Sequence, residues 1–214
     1  MKNILNYQSS EYDCGPTTLI NAVRFLFERD EIAPELLKSI ALYTLDSYNA
    51  EGESGKSGTS RMAMQFLASW MNQYGASKHF PIHARFLEEN QVYIGSHSEI
   101  VSCLQQRGVA IVRVWLDGDA HYVLLTEAFD EGREIGLFDP YYVDFAKESY
   151  APEEHGFREV KDEPWRMNRI VKADVMNSRE NISYGMGEKD MREAMLLFNT
   201  NTQLTPEKTI EYMI

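Results

Sequence analysis

Residues 7–19 read Tyr7-Gln8-Ser9-Ser10-Glu11-Tyr12-Asp13-Cys14-Gly15-Pro16-Thr17-Thr18-Leu19. Pro16 and the two threonines mark a helix start, and Leu19, Ile20, Ala22, Val23, Phe25 and Leu26 continue it at helical spacing. Cys14 therefore falls at a helix N-terminus, where unpaired amide hydrogens and the positive end of the dipole favour a thiolate over a thiol. Gly15 leaves the sulfur unobstructed. Gln8 stands six residues upstream. The chain can loop back over that distance and set the Gln8 amide beside the Cys14 backbone N–H, two donors for one developing oxyanion. Read by itself, Cys-Gly-Pro is equally a turn before a core helix, so the cysteine needs a base elsewhere to be a nucleophile.

The 214 residues, 43% hydrophobic and 25% charged, suit one globular domain with a sizeable core. We take 1–214 as that single domain, its core at about 5–145 and a C-terminal extension at about 146–214 completing or decorating it. With 21 basic against 33 acidic side chains the net charge is −12 and no basic cluster stands out, which argues against nucleic acid and anionic membrane surfaces as partners. Cys14 and Cys103 are the only cysteines, too few for a disulfide scaffold or a Cys-rich zinc site, although counting leaves one bridge between them open; Cys103, beside Val101 and Leu104, reads as core. The N-terminus lacks an apolar signal region and no run is long enough to cross a bilayer, so a soluble, cytoplasmic protein is expected.

In chain order, Ala33 to Tyr43 reads as a second helix, forming a hairpin with the first. Asp46 to Ser60, with three glycines and several serines, reads as a long mobile loop. Its Gly55-Lys56-Ser57 is no phosphate loop, because position 50 is Ala and no buried strand precedes it. Met62, Ala63, Phe66, Leu67, Trp70 and Met71 form a helical stripe expected to pack against the Cys14 helix. His79, His83 and His97 sit in loop-like or amphipathic sequence without carboxylates or cysteines at ligand spacing, so no metal site is assigned. Ser98 to Arg107 reads as a helix stopped by Gly108.

The pattern then changes to strands. Val109 to Trp115, Ala120 to Glu127 and Glu134 to Asp139, separated by the Asp117-Gly118-Asp119 turn and by residues 129–133, predict an antiparallel meander. Beyond Pro140 the chain is aromatic and acidic to about Trp165, followed by an expected strand from Arg169 to Val175 and an expected helix from Glu188 to Phe198. Helices first and strands after them give an α+β fold, with N-terminal helices packed on an antiparallel sheet.

His121 opens the central strand of the meander, where its ring can reach a neighbouring helix mouth and act as base. Residues 121 and 139 have the same parity. A hairpin centred on Asp130 sets them directly opposite, and one centred on Glu131 makes them diagonal neighbours; both arrangements put the two side chains on one face. An aspartate beside a histidine fixes its tautomer and raises its basicity, completing a Cys-His-Asp relay. Asp-Pro could also merely end a strand; the facing histidine favours the relay.

Gln8, Asp13-Cys14-Gly15-Pro16, Gly58-Thr59-Ser60, His121-Tyr122-Val123 and Asp139-Pro140, in that order, resemble the C39 peptidase family, papain-like enzymes that include the double-glycine leader peptidases of bacteriocin export. The resemblance covers about residues 5–145. It implies a papain-like fold, with Cys14 as nucleophile, His121 as general base, Asp139 as orienting acid and Gln8 as oxyanion donor. It implies a peptide or protein substrate and no cofactor. Ala120 stands where the family usually has Gly, and the transporter domains of its best-known members are missing from this chain. The expected function is a stand-alone cysteine peptidase or amide hydrolase; a non-catalytic peptide-binding module of the same fold and an acyltransferase using the same thioester are the alternatives.

Overall fold

The computed structural model describes residues 3–143 and 155–205. Part of the aromatic and acidic stretch expected after Pro140, at 144–154, lies outside the described residues, as do the two ends of the chain.

Seven strands occur there: β1 (Ile82–Glu88), β2 (Val109–Leu116), β3 (Asp119–Phe129), β4 (Glu134–Phe138), β5 (Phe157–Glu159), β6 (Arg169–Lys172) and β7 (Glu193–Asn199). They join one antiparallel sheet in the order β1-β7-β2-β3-β4-β6-β5. Five helices accompany them: α1 (Cys14–Leu26), α2 (Pro34–Tyr43), α3 (Arg61–Lys78), α4 (Glu99–Gln105) and α5 (Ala173–Met176). The fold is mixed α+β, and β2, β3 and β4 form the expected meander.

Both faces of the sheet are covered. One carries Val109, Ile111, Tyr122, Leu124, Phe138, Met195 and Leu197 against the apolar sides of α1, α2 and α3. The other carries Val112, Val114, Val123, Leu125, Ile135, Leu137 and Leu196 against α4 and the chain near Tyr184. Strands buried on two sides lose the alternation of apolar and polar residues that marks a strand with one wet face.

This explains the main correction. Glu188 to Phe198, expected as a helix, is a short 3-10 turn at Lys189–Met191 followed by β7, which runs between β1 and β2 with all seven residues buried. An apolar run without alternation cannot be assigned to strand or helix by periodicity alone. Three further expectations change. β1, read as loop-like around His83, is an edge strand whose inner residues include Ile82, Ala84 and Leu87. The strand expected from Arg169 to Val175 ends at Lys172, where α5 begins. The third helix, α3, lies chiefly on β1 rather than on α1; at Gly75 a Cβ would stand 2.8 Å from the Ile82 carbonyl, so glycine permits that approach.

The 46–60 segment is closed by its own hydrogen bonds. Asp46 accepts from the Ser60 amide and hydroxyl, Asn49 and Glu53 bond each other, and Tyr48 bridges Ser54. Ser60 in turn caps α3 by accepting from the Ala63 amide at 3.1 Å.

If β7 is a central strand, Leu197→Ala, at a fully buried position, removes about 2–5 kcal/mol of stability. Urea unfolding measures this; a loss below about 1 kcal/mol would place residues 193–199 outside the core.

Candidate active site

Cys14 is the first residue of α1 and is 6% exposed. The helix is fixed to the sheet beside it, where Thr18 donates its hydroxyl to the Tyr122 carbonyl at 3.0 Å, one residue beyond His121. A Cβ on Gly15 would come 2.4 Å from the Thr59 hydroxyl, so only glycine allows residue 59 to lie against the helix mouth. Behind this contact, Tyr122 donates to the buried Glu193 carboxylate, whose other oxygen takes Arg61 Nε at 2.6 Å.

The segment ahead of α1 is laid along the helix by side chains of the helix itself. Asn21 accepts from the Asn6 amide and donates to the Asn6 carbonyl, both at 2.8 Å, and Arg24 donates to Ile4. Asp13 accepts from the Ser9 and Ser10 amides, which turns the chain back before Cys14. Its partial burial opposes the charge, but these donors outweigh it and hold the carboxyl below the usual carboxylate range. Gln8 donates its backbone N–H to Pro140 O at 2.8 Å, so it is tied to the residue that follows Asp139. Its side-chain amide donates to Ser10 O at 2.8 Å.

His121 Nε2 lies 2.7 Å from Asp139 Oδ1. The Cys14 thiol interacts with the same ring from its other side, and with Nε2 given to Asp139, Nδ1 is the nitrogen left for sulfur. Cys14, His121 and Asp139 are therefore one contiguous chain of side chains, and Gln8 is joined to the same turn through Pro140.

Parity alone would not have produced this. The outer rungs of the β3–β4 hairpin pair Glu127 with Gly136 and Phe129 with Glu134, a register that puts 121 and 139 on opposite faces. A bulge at Thr126 shifts the inner rungs to Leu125 with Leu137 and Leu124 with Phe138. Continued by one residue, that register sets Asp139 diagonal to His121 on one face, the arrangement expected for a hairpin centred on Glu131. The Thr126 hydroxyl donates to the Gly136 carbonyl inside the bulge, at 3.3 Å.

Asp139 is fully buried. Besides His121 it accepts from the Tyr141 amide at 2.8 Å on Oδ1 and from the Tyr184 hydroxyl at 2.8 Å on Oδ2. Asn168 accepts from its backbone N–H and donates to its carbonyl, both at 2.8 Å. Burial disfavours the charge, but the facing histidine and these donors overcome it, and the carboxyl stays below the ordinary range. For His121, burial disfavours the imidazolium, whereas the Asp139 charge and hydrogen bond, with Cys14 on the other side, raise its pKa from 6.5 to about 10. Asn168 and Tyr184 were not anticipated. They come from the segment after residue 145, and no spacing relates them to the histidine.

Cys103 is buried in the opposite core and its thiol is pushed up by that burial; both cysteines are free. Among the described residues no group of three or more His, Cys, Asp or Glu side chains is placed to hold a metal ion, and no helix is long and apolar enough to cross a membrane.

The raised His121 pKa links the pair to stability. The folded chain keeps a proton that the unfolded chain releases above pH 6.5, so the contribution is complete below that pH and lost as pH rises through about 10. In a Cys14→Ala background, which removes the Cys14 contribution to that rise, the stability advantage of His121 over His121→Gln should shrink from pH 6.5 upward by up to about 1.4 kcal/mol per pH unit and be exhausted below pH 10. Urea titrations at several pH values measure it; an advantage that grows or stays level would contradict the ion pair.

Neither protein-family models nor curated proteins match this chain.

Proposed function

We propose that the chain is a papain-like cysteine hydrolase that cleaves a peptide or amide bond through a thioester on Cys14. The observation that carries this reading is the unbroken sequence of contacts from the Cys14 thiol through His121 to the buried Asp139 carboxylate. A helix that brings a cysteine to the ring of a strand histidine is the arrangement expected of a papain-like fold, and the residues involved are those that resemble the C39 peptidases.

In the first half-reaction Cys14, its proton already held by His121, bonds through the thiolate sulfur to the substrate carbonyl carbon, while the carbonyl electron pair moves onto oxygen. That oxyanion is met by the Cys14 backbone N–H and by the Gln8 side-chain amide, which spends one hydrogen on Ser10 and has a second to give. Collapse of the intermediate expels the amine, which takes the proton from His121 as the C–N bond breaks. The acyl group is left as a thioester. Water then gives a proton to His121 and attacks the thioester carbon, sulfur leaves as thiolate, and the carboxylic acid departs. Asp139 holds the ring in the tautomer that serves both transfers and stabilises the imidazolium formed in each. Residues of this chain suffice for every step, and the substrate class is a peptide or protein with its scissile carbonyl presented at the mouth of α1.

A peptide-library digest followed by mass spectrometry tests the proposal. Wild-type protein should release fragments, Cys14→Ala should release none, and Asp139→Asn should lower kcat by about 10²- to 10⁴-fold. Cleavage that survives Cys14→Ala would overturn it, and peptides bound but never cut by the wild type would make the cleft a recognition module.

A further inference from the structure

We propose that Tyr184 is a positioning residue of the relay, whose hydroxyl, backed by Arg169, holds the second oxygen of Asp139 and so keeps the first aimed at His121. The inference rests on reading Cys14, His121 and Asp139 as a working relay, and it adds a member from a part of the chain that resembles no family motif.

A carboxylate held at one oxygen can still swing about its Cβ–Cγ bond; held at both, it cannot. Oδ1 of Asp139 receives His121 Nε2 and the Tyr141 amide, and Oδ2 receives the Tyr184 hydroxyl at 2.8 Å. Tyr184 is buried, with Phe157 packed edge-on at 4.8 Å between ring centroids. A phenylalanine would fill almost the same volume. A hydroxyl is placed in such surroundings at a cost unless it has a partner, and the partner here is the acid of the site.

The backbone around Tyr184 is held from two sides. Its N–H donates to Trp115 O, and the Trp115 N–H donates to Gly185 O, both at 2.8 Å. Trp115 pairs with Ala120 in the β2–β3 ladder, next to the rung that carries His121. The tyrosine is thus anchored to β2, the strand paired with the one that bears the base. Its φ is +66°, a left-handed conformation that a bulky residue adopts only where its surroundings impose it, and such residues cluster at functional sites.

Arg169 closes the arrangement. It is 3% exposed, its guanidinium hydrogen-bonds the Tyr184 hydroxyl, and it also donates to the carbonyl of Asn168, which clamps the Asp139 backbone. Burial and then the Asp139 charge raise the Tyr184 pKa well above that of an ordinary tyrosine, so the hydroxyl is a donor throughout the working pH range.

The test reads Cys14 directly and needs no substrate. The titratable and charged groups around the relay are Cys14, His121, Asp139, Tyr141, Tyr184 and Arg169, with Tyr122 and Glu193 on the Cys14 side and Glu159 beyond Arg169. The rate of Cys14 alkylation by iodoacetamide is followed from pH 3 to 10 by peptide mapping, with Cys103 as the internal reference. Removing a donor from a carboxylate raises its pKa, so Tyr184→Phe should move the acid limb of the profile to higher pH. It should also slow alkylation near neutrality on the order of tenfold, the worth of one hydrogen bond to a charged group. Phe157→Leu, which loosens the ring without touching the hydroxyl, should leave the limb in place. An unmoved limb in folded Tyr184→Phe protein overturns the positioning role. If that variant shows no thermal transition, Arg169→Gln takes its place, and there too an unmoved limb overturns the inference. Should wild-type Cys14 label no faster than Cys103, the relay itself fails, an outcome distinct from either.

Discussion

A carboxylate with no exposure to water is the constraint on which this structure turns. Left alone inside a protein, the Asp139 charge would cost several kcal/mol. It persists because donors arrive from three directions, the His121 ring from β3, the Tyr141 amide from the turn after β4 and the Tyr184 hydroxyl from beyond α5, while Asn168, just ahead of β6, holds the Asp139 backbone. Removing any one leaves a buried charge under-satisfied, so these elements are bound to a single geometry. The same requirement orients the histidine, and through it the cysteine. Electrostatics here does the work that a metal ion does in other sites, drawing separated segments to one point.

The helix mouth is fixed by a different kind of contact. Gly15 and Thr59 meet at a distance no side chain on residue 15 would permit. Beneath them the Tyr122, Glu193 and Arg61 bonds connect β3, β7 and the start of α3. Asn21 and Arg24, on α1 itself, hold the preceding segment alongside the helix, which brings Gln8 to Pro140. One side of the site is therefore set by charge and hydrogen bonding, the other by close packing around a glycine.

Much of this was readable from sequence where the signal is local. The start of α1 follows from Pro16, the end of α4 from Gly108, and the meander from β-branched runs between turn residues. Cys14, His121 and Asp139 could be paired because each lies at the end of such an element. What could not be read is what local patterns do not encode. β7 lacks alternation because both its faces are buried. The Thr126 bulge has no composition of its own, yet it decides which face Asp139 occupies, and the hairpin argument reached the correct face without foreseeing it. Asn168 and Tyr184 act across 29 and 45 residues of chain, a separation at which no spacing rule operates.

The place of β7 has a consequence in time. It runs between β1 and β2, both of which precede it by many residues, so the sheet cannot close in the order in which the chain is made. Pairings of such long range are the slow step of folding, because the loop entropy must be lost before the contacts form. Until residues 193–199 enter, β1 and β2 are unpaired edges and Glu193 is absent from beneath the helix mouth. Asn168 and Tyr184 are likewise late arrivals. Cys14 precedes all of these segments in the chain, yet the contacts around it are completed last. A chain interrupted before residue 193 carries Cys14 without those contacts.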